Sequence, residues 1–327
     1  MNRWLILIPS ALALLAIAHL GDFYINFASR ILIAAIFALS LNLLVGYAGL
    51  MSLGHSAFFG VAGYCMAWLI VTRGWSPVAA IPAALLLTGI AAGLFGLLAL
   101  RAKGIGFLMI TLALGQMAWG LAMRWVSVTG GDNGIRGIAR PTPFGVDLTT
   151  ATAFYALVAT VFSLVCLVLY WFTRSPFGAS LRGTRDQPRR MSALGFDVTL
   201  IRWSAFVAAG CMAGLAGVLD VYFNRFIDPS VLSLQSSAEG LLMVIVGGVD
   251  VLLGPVVGAA AVLIFAQVAS DYTEHWTAAL GILFLVIVVL MPDGLVPGVR
   301  RLWTKLRTLQ TAPGTLANQL LKRGKAR

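Results

Sequence analysis

Residues 30–63 read RILIAAIFALSLNLLVGYAGLMSLGHSAFFGVAG. From Ile31 to Val45 there is no charge, and the one side-chain amide is Asn42. Gly46, Gly49 and Gly54 then interrupt the run before a second apolar stretch begins near His55. Uncharged runs of this kind suit helices in hydrocarbon, where the backbone must satisfy its own hydrogen bonds. Glycine frees the backbone and loosens such a helix. The expectation is a pair of membrane spans joined by a broken segment.

The pattern extends in both directions. Apolar spans are read at 4–20, 30–46, 55–72, 77–100, 105–126, 151–173, 201–223, 253–270 and 276–292. The chain has 327 residues, of which 60% are hydrophobic and 11% charged. A soluble domain carries about 25% charged residues, so the composition excludes a soluble surface. The predicted fold is all-α, a polytopic transmembrane helical bundle. Residues 1–299 are its membrane domain and 300–327 a basic tail. Asn2-Arg3 before an apolar run also fits a signal peptide. A retained first helix is preferred, because the rest of the chain is membrane as well.

Net charge is +11, but its placement argues against nucleic acid. Six Lys and Arg lie in 174–202 and eight in 300–327. That is the distribution of positive-inside topology with anionic lipid contact. If loop and tail share the cytoplasmic side, an even number of crossings must separate them. The stretch Ser237–Val249, SAEGLLMVIVGGV, then supplies a short or broken crossing, and the total is about ten. Both termini are expected in the cytoplasm. Arg30, Arg73, Arg124, Arg136, Arg140 and Arg225 fall on the other side. The spans from 30 to 126 and from 201 to 292 then run in opposite senses, the plan of an inverted repeat.

Two glycine-rich breaks are the candidate translocation path. The first holds Asn42, Gly46, Gly49, Ser52, Gly54 and His55; the second holds Gly247 and Gly248, with Glu239 upstream. One reading is helix ends lining a substrate route. The other is turns and close helix packing through small residues. The outer loop Thr129–Gly134 (TGGDNG) is turn-rich and fits a docking surface or a plain connection. Cys65, Cys166 and Cys211 are not spaced as metal ligands.

The basic loop, 174–202, reads RSPFGASLRGTRDQPRRMSALGFDVTLIR. Phe177 and Leu181 are four apart and share a helix face, and Met191 and Leu194 make a second small apolar face. Asp186 is expected to start a further turn with Pro188 in its first turn, and Gly195 to stop it. Gly178, Arg182, Arg185, Arg189 and Arg190 surround these faces. The unit fits a groove on a cytoplasmic partner, or equally a headgroup layer.

Several stretches together resemble permease subunits of branched-chain amino-acid-type ABC transporters. They are Leu39–Gly63, Thr129–Gly137, Arg174–Asp197 with its SPFG and ALGFD ends, Ser233–Gly258, and Met291–Leu295 (MPDGL). The resemblance covers about residues 30–300, and five motifs in this order are specific. It implies a homologous second permease subunit, two cytoplasmic ATP-binding cassette subunits seated on the 174–200 loop, and a periplasmic or extracellular substrate-binding protein. It implies a small-molecule substrate, a branched-chain amino acid or a related amino acid or amide, and a bacterial inner membrane. Asp250-Val251 stands where the family often has Gly-Thr, and Gln187–Arg190 departs from the commoner acidic, alanine-rich loop.

The chain carries no G-x-x-x-x-G-K-[ST], so ATP is expected on the partner subunits and no cofactor or catalytic site on this chain. An ion-gradient-coupled transporter is the alternative. It needs ionisable groups in mid-membrane, and Asp220 and Glu239 are its first candidates.

Overall fold

The computed structural model describes residues 21–138, 140, 148–249, 251–272, 275–290 and 294–298. The first apolar run, the basic tail, Asp250 and Met291–Asp293 lie outside the described residues. Helix α1 spans Asp22–Asn42 and passes directly into a π-helical segment, Leu43–Ala48. Then come α2 (Ser56–Val71), α3 (Pro77–Ala99) and α4 (Ile105–Arg124). Helix α5 (Ala151–Arg174) leads into the short α6 (Pro176–Asp186) and α7 (Pro188–Ala193). The chain ends its described course with α8 (Val198–Asn224), α9 (Leu234–Gly247), α10 (Gly254–Tyr272) and α11 (Trp276–Leu290).

The helix starts follow from capping chemistry. Side-chain oxygens of Thr150, Ser175, Asp197 and Ser233 accept hydrogen bonds from Ala153, Gly178, Leu200 and Ser236 backbone N–H groups. Each satisfies a donor that the first helical turn cannot pair internally. The first described helix begins at Asp22, eight residues before the expected start of its span. Arg30 therefore rides within α1 and is exposed, since a long basic side chain can lie along apolar surface with its charge outside.

Among the described residues, six helices are long and apolar enough to cross a membrane. Helices α2 and α9 are short, with 16 and 14 residues. At 1.5 Å per residue they reach roughly 24 and 21 Å, less than a hydrocarbon core of about 30 Å. The 237–249 stretch falls for the most part within the short helix α9.

Helices α1 and α8 form the centre. Of α1's apolar window 83% is buried and of α8's 61%, against 28% for each of α3, α4 and α5. The outer helices turn Leu86, Leu94, Leu97, Met109, Leu164 and Trp171 outward. These are the lipid-facing surfaces of a multi-pass membrane protein. The packing is reciprocal. Helix α8 lies on α2 and α3, while α1 lies on α9 and α10; α1 and α8 also touch each other. Exchanging the set α1–α4 for the set α8–α11 leaves this pattern of neighbours unchanged, as two structurally related halves would.

Small residues permit these crossings. A Cβ on Gly217 would lie 2.0 Å from the Phe59 carbonyl oxygen, and one on Gly210 2.5 Å from Ala92 Cβ. Trp203 Nε1 donates to the Gly93 carbonyl at 2.9 Å, fixing α8 to α3 with a polar tie. One departure from an all-helical chain is a two-residue antiparallel bridge, β1 (Ile135–Arg136) with β2 (Phe226–Ile227). It fastens the loop after α4 to the loop after α8. Arg140 adds to this clasp: its Nε donates to Tyr222 O at 3.2 Å, and its guanidinium lies 4.4 Å from the Phe154 ring centroid. Burial, with Arg225 nearby, holds that guanidinium below its usual pKa.

Gly217→Leu should destabilise the bundle by about 1–3 kcal/mol through overpacking. Gly120, whose Cβ would meet nothing within 4 Å, should accept Ala with no loss. Thermal unfolding of the two variants in detergent distinguishes the sites.

Candidate functional site

The two glycine-rich breaks meet. The π-helical end of α1 is capped by Gly49 in the left-handed region (φ +68°), and Leu50 N–H donates to Leu44 O at 2.9 Å. A π-turn widens the helix, and such turns concentrate at functional sites. At the second break Gly248 has φ +107°. A Cβ on Gly46 would lie 2.6 Å from the Val249 carbonyl oxygen, so the two breaks abut at these backbones. A Cβ on Gly247 would be 2.0 Å from Gly254 O, and one on Gly258 1.8 Å from Met243 O. The second break is therefore a tight glycine-on-backbone turn between α9 and α10.

Asn42 lies at the contact between the breaks. It is buried, and neither its Nδ2 nor its Oδ1 has a hydrogen-bond partner among the described residues. The Ser52 hydroxyl is likewise buried and unpaired. His55 is fully buried, with Nε2 2.9 Å from Ser40 Oγ and its ring packed between Phe37 and Phe58. Its Nδ1 has no hydrogen-bond partner among the described residues. Gly54 abuts α4 so closely that a Cβ would lie 1.9 Å from Thr111 O.

A serine cluster behind His55 was not singled out in the sequence. Ser237 Oγ donates to Ser56 Oγ at 2.6 Å and accepts from Ser56 N–H at 3.1 Å. Ser56 Oγ also lies 3.1 Å from Ser233 O. These bonds lock the start of α2 to α9. Serines 181 residues apart carry no local signal of contact. Glu239, by contrast, does not join the site; on α9 it accepts from Gln235 at 3.1 Å. Asp220, near the end of α8, accepts from Asn224 at 3.0 Å.

The basic loop folds as a unit against the first break. Arg185 Nη1 donates to the Gly46 carbonyl, and a Cβ on Gly49 would lie 2.7 Å from Arg185 Cγ. Arg182 donates to Thr173 O at 2.7 Å and stands over the Tyr47 ring. Arg202 donates to Thr184 O at 2.5 Å. So α6 is tied to α1, α5 and α8 at once. Gly178 is needed at the α5–α6 corner, where a Cβ would lie 2.4 Å from Phe172 O.

Two details of the loop differ from expectation. Leu181 does not project to a partner: it is 0% exposed and packs within the chain, with Phe177 half-buried beside Phe172. Met191 also turns inward, onto Gly183. Leu194 and Phe196 are the outward apolar residues, 66% and 45% exposed. Second, Asp186 ends α6 and pairs with Arg185 at 2.9 Å, and Gln187 occupies the cap of α7. Pro188 bars its predecessor from helical geometry, so the break falls at Gln187. Gly195 does stop α7, at φ +86° with Phe196 N–H returning to Met191 O at 3.1 Å.

The TGGDNG loop is equally built. Gly130, Gly131 and Gly134 all have positive φ, and Thr129 Oγ1 donates to Ala122 O at 2.6 Å. A Cβ on Gly134 would lie 2.0 Å from Ile227 O.

A buried central pair of helices, abutting glycine breaks after α1 and α9, and a basic loop tied to the first of them define a polytopic permease-type membrane protein. Residues 23–291 match the family "Branched-chain amino acid transport system / permease component", and the chain belongs to it. It is therefore an ABC transporter permease of the branched-chain amino acid family. It is 28% identical over 317 residues to the high-affinity branched-chain amino acid transport system permease protein LivM of Salmonella typhimurium, covering 88% of this chain and 75% of that one. The Escherichia coli K12 LivM is 27% identical, covering 84% and 70%. The autoinducer 2 import system permease protein LsrC of Escherichia coli O9:H4 is 26% identical over 61% of this chain and 57% of its own. No solved structure matches.

Leu181→Asp should unfold the loop, because it buries a charge, whereas Leu194→Asp should leave thermal stability within about 0.5 kcal/mol of the parent. Limited proteolysis between α5 and α8 reads the difference. Asn42→Leu should hold or raise the melting temperature, since an unpaired buried amide costs about 1–3 kcal/mol.

Proposed function

We propose that this chain is the membrane-spanning subunit of an ATP-driven importer for branched-chain amino acids or related small amino acids and amides. Its translocation path runs along the two abutting breaks. Separate ATPase subunits seat on the α6–α7 unit, a second homologous permease completes the membrane part, and a substrate-binding protein delivers cargo to the opposite end. The membrane is the bacterial inner membrane, with α6–α7 and both termini on the cytoplasmic side, which the clustering of basic residues supports.

The observation that carries this reading is the tie between Arg185 and the Gly46 carbonyl. It joins the compact basic α6–α7 unit to the π-helical end of α1. The two faces of that unit divide the work. Leu181, Thr184 and Arg185 hold it to the bundle; Arg189, Arg190, Leu194 and Phe196 are exposed for a partner. Movement of docked ATPases then pulls on the broken end of α1 rather than on a straight helix. A docked partner shifts the two access states only by binding them unequally. The unpaired Asn42 amide and Ser52 hydroxyl supply polar groups along the path, and ATP is held by the partner subunits.

Purification of the tagged chain from native membranes should recover an ATPase and a second permease; recovery of the chain alone would count against the importer. In the reconstituted assembly, Leu194→Asp should cut uptake at least about tenfold by weakening ATPase docking. Arg185→Ala should leave the ATPase bound but lower uptake per ATP hydrolysed. Normal coupling in the Arg185 variant would remove that residue from the transmission route.

A further inference from the structure

At the end of the bundle opposite α6–α7 lies a cavity of about 410 Å³, within the usual range of small-molecule sites, about 300–1,000 Å³. Trp119, Met123, Phe226 and Pro229 form its apolar wall; Asp132, Asn133, Arg136, Asp228 and Ser230 form its polar one. Among the described residues Arg136 makes no ion pair with either Asp132 or Asp228, although all three line one space. Asp228 Oδ1 is taken up in part by Ser230 N–H, at 2.7 Å.

We propose that this cavity is the first substrate station on the chain and takes a neutral aliphatic α-amino acid as its zwitterion. Arg136 receives the carboxylate, Asp132 and Asp228 the ammonium, and the Trp119 wall the side chain. A guanidinium and carboxylates held apart in one cavity, with an apolar wall, match such a molecule at three points. An amine alone leaves Arg136, which pairs with neither aspartate, without a counterpart, and an acid alone leaves both aspartates so.

Its position fits an entry role. Thr111, Gly115, Trp119 and Met123 are spaced by four along α4. Thr111 and Gly115 abut Gly54 at the first break, while Trp119 and Met123 line the cavity one to two turns farther on. The segment Pro229–Ser230 continues directly into Leu232 and Ser233, whose carbonyls accept from Ser56 beside His55. Two segments, α4 and 229–233, thus run from the cavity to the first break. The inference rests on the importer reading for its substrate class and adds a site to it.

The test is equilibrium binding of radiolabelled leucine to the full chain in nanodiscs, with ATP-driven leucine uptake by the whole assembly measured in parallel. Arg136→Ala should weaken leucine binding at least about tenfold, and Asp132→Asn together with Asp228→Asn should do the same. Arg124→Ala, at the same end but off the cavity lining, should bind as the parent does. 3-Methylbutylamine and 4-methylpentanoate should each compete at least about tenfold more weakly than leucine. Unchanged leucine binding in Arg136→Ala, or no binding to the parent chain at 10 mM while the assembly still imports leucine, would overturn the site and leave the importer standing. Reduced uptake in Arg136→Ala with unchanged binding would also overturn it, making the residue a docking contact for the delivering protein. If the assembly imports nothing on ATP, the importer reading fails; Arg136-dependent leucine binding would still support the site.

Discussion

Every backbone N–H and C=O inside hydrocarbon needs a partner, because water is absent and each orphan costs several kcal/mol. A chain that must carry polar cargo also needs interruptions in its helices. This protein reconciles the two by burying the interruptions. The break after α1 is bonded through a π-turn, capped by Gly49 and pressed against the second break at Val249. Helices α1 and α8 hold the centre, most of each buried, and helices α3, α4 and α5 are left to face lipid.

Glycine does most of this enclosing, and it does so by contact more than by flexibility. Gly46, Gly54, Gly217, Gly247 and Gly258 each bring a foreign backbone closer than any Cβ permits. Without a hydrophobic drive between helices in lipid, close van der Waals approach and short polar ties are what hold them. The Ser56–Ser237 pair and the Trp203–Gly93 bond are ties of that kind.

The basic loop illustrates how one short unit serves two surfaces. Its inner face is a packed extension of the bundle, bonded to three membrane helices. Its outer face, with Arg189, Arg190, Leu194 and Phe196, has no role in that packing. In the proposed coupling role, a unit held firmly on one side and exposed on the other would transmit displacement where a flexible linker of the same charge would absorb it.

The sequence by itself determined the membrane class, the helical fold, the order of the apolar helices within the described residues, both breaks and the stop at Gly195. These depend on local composition and on the backbone preferences of Gly and Pro, which act over a few residues. Family membership was legible too, because the five motifs are contiguous strings. Only the tertiary structure decided what faces what. Four-residue spacing put Phe177 and Leu181 on one face but could not say that the face turns inward, since an apolar stripe suits a neighbouring helix and a partner groove equally well. Nor could it join Arg185 to Gly46, Ser56 to Ser237, or Trp119 to Arg136 and Asp228. Those contacts close loops of tens to hundreds of residues, and their partners are fixed by how the two halves interlock rather than by anything the local chain carries.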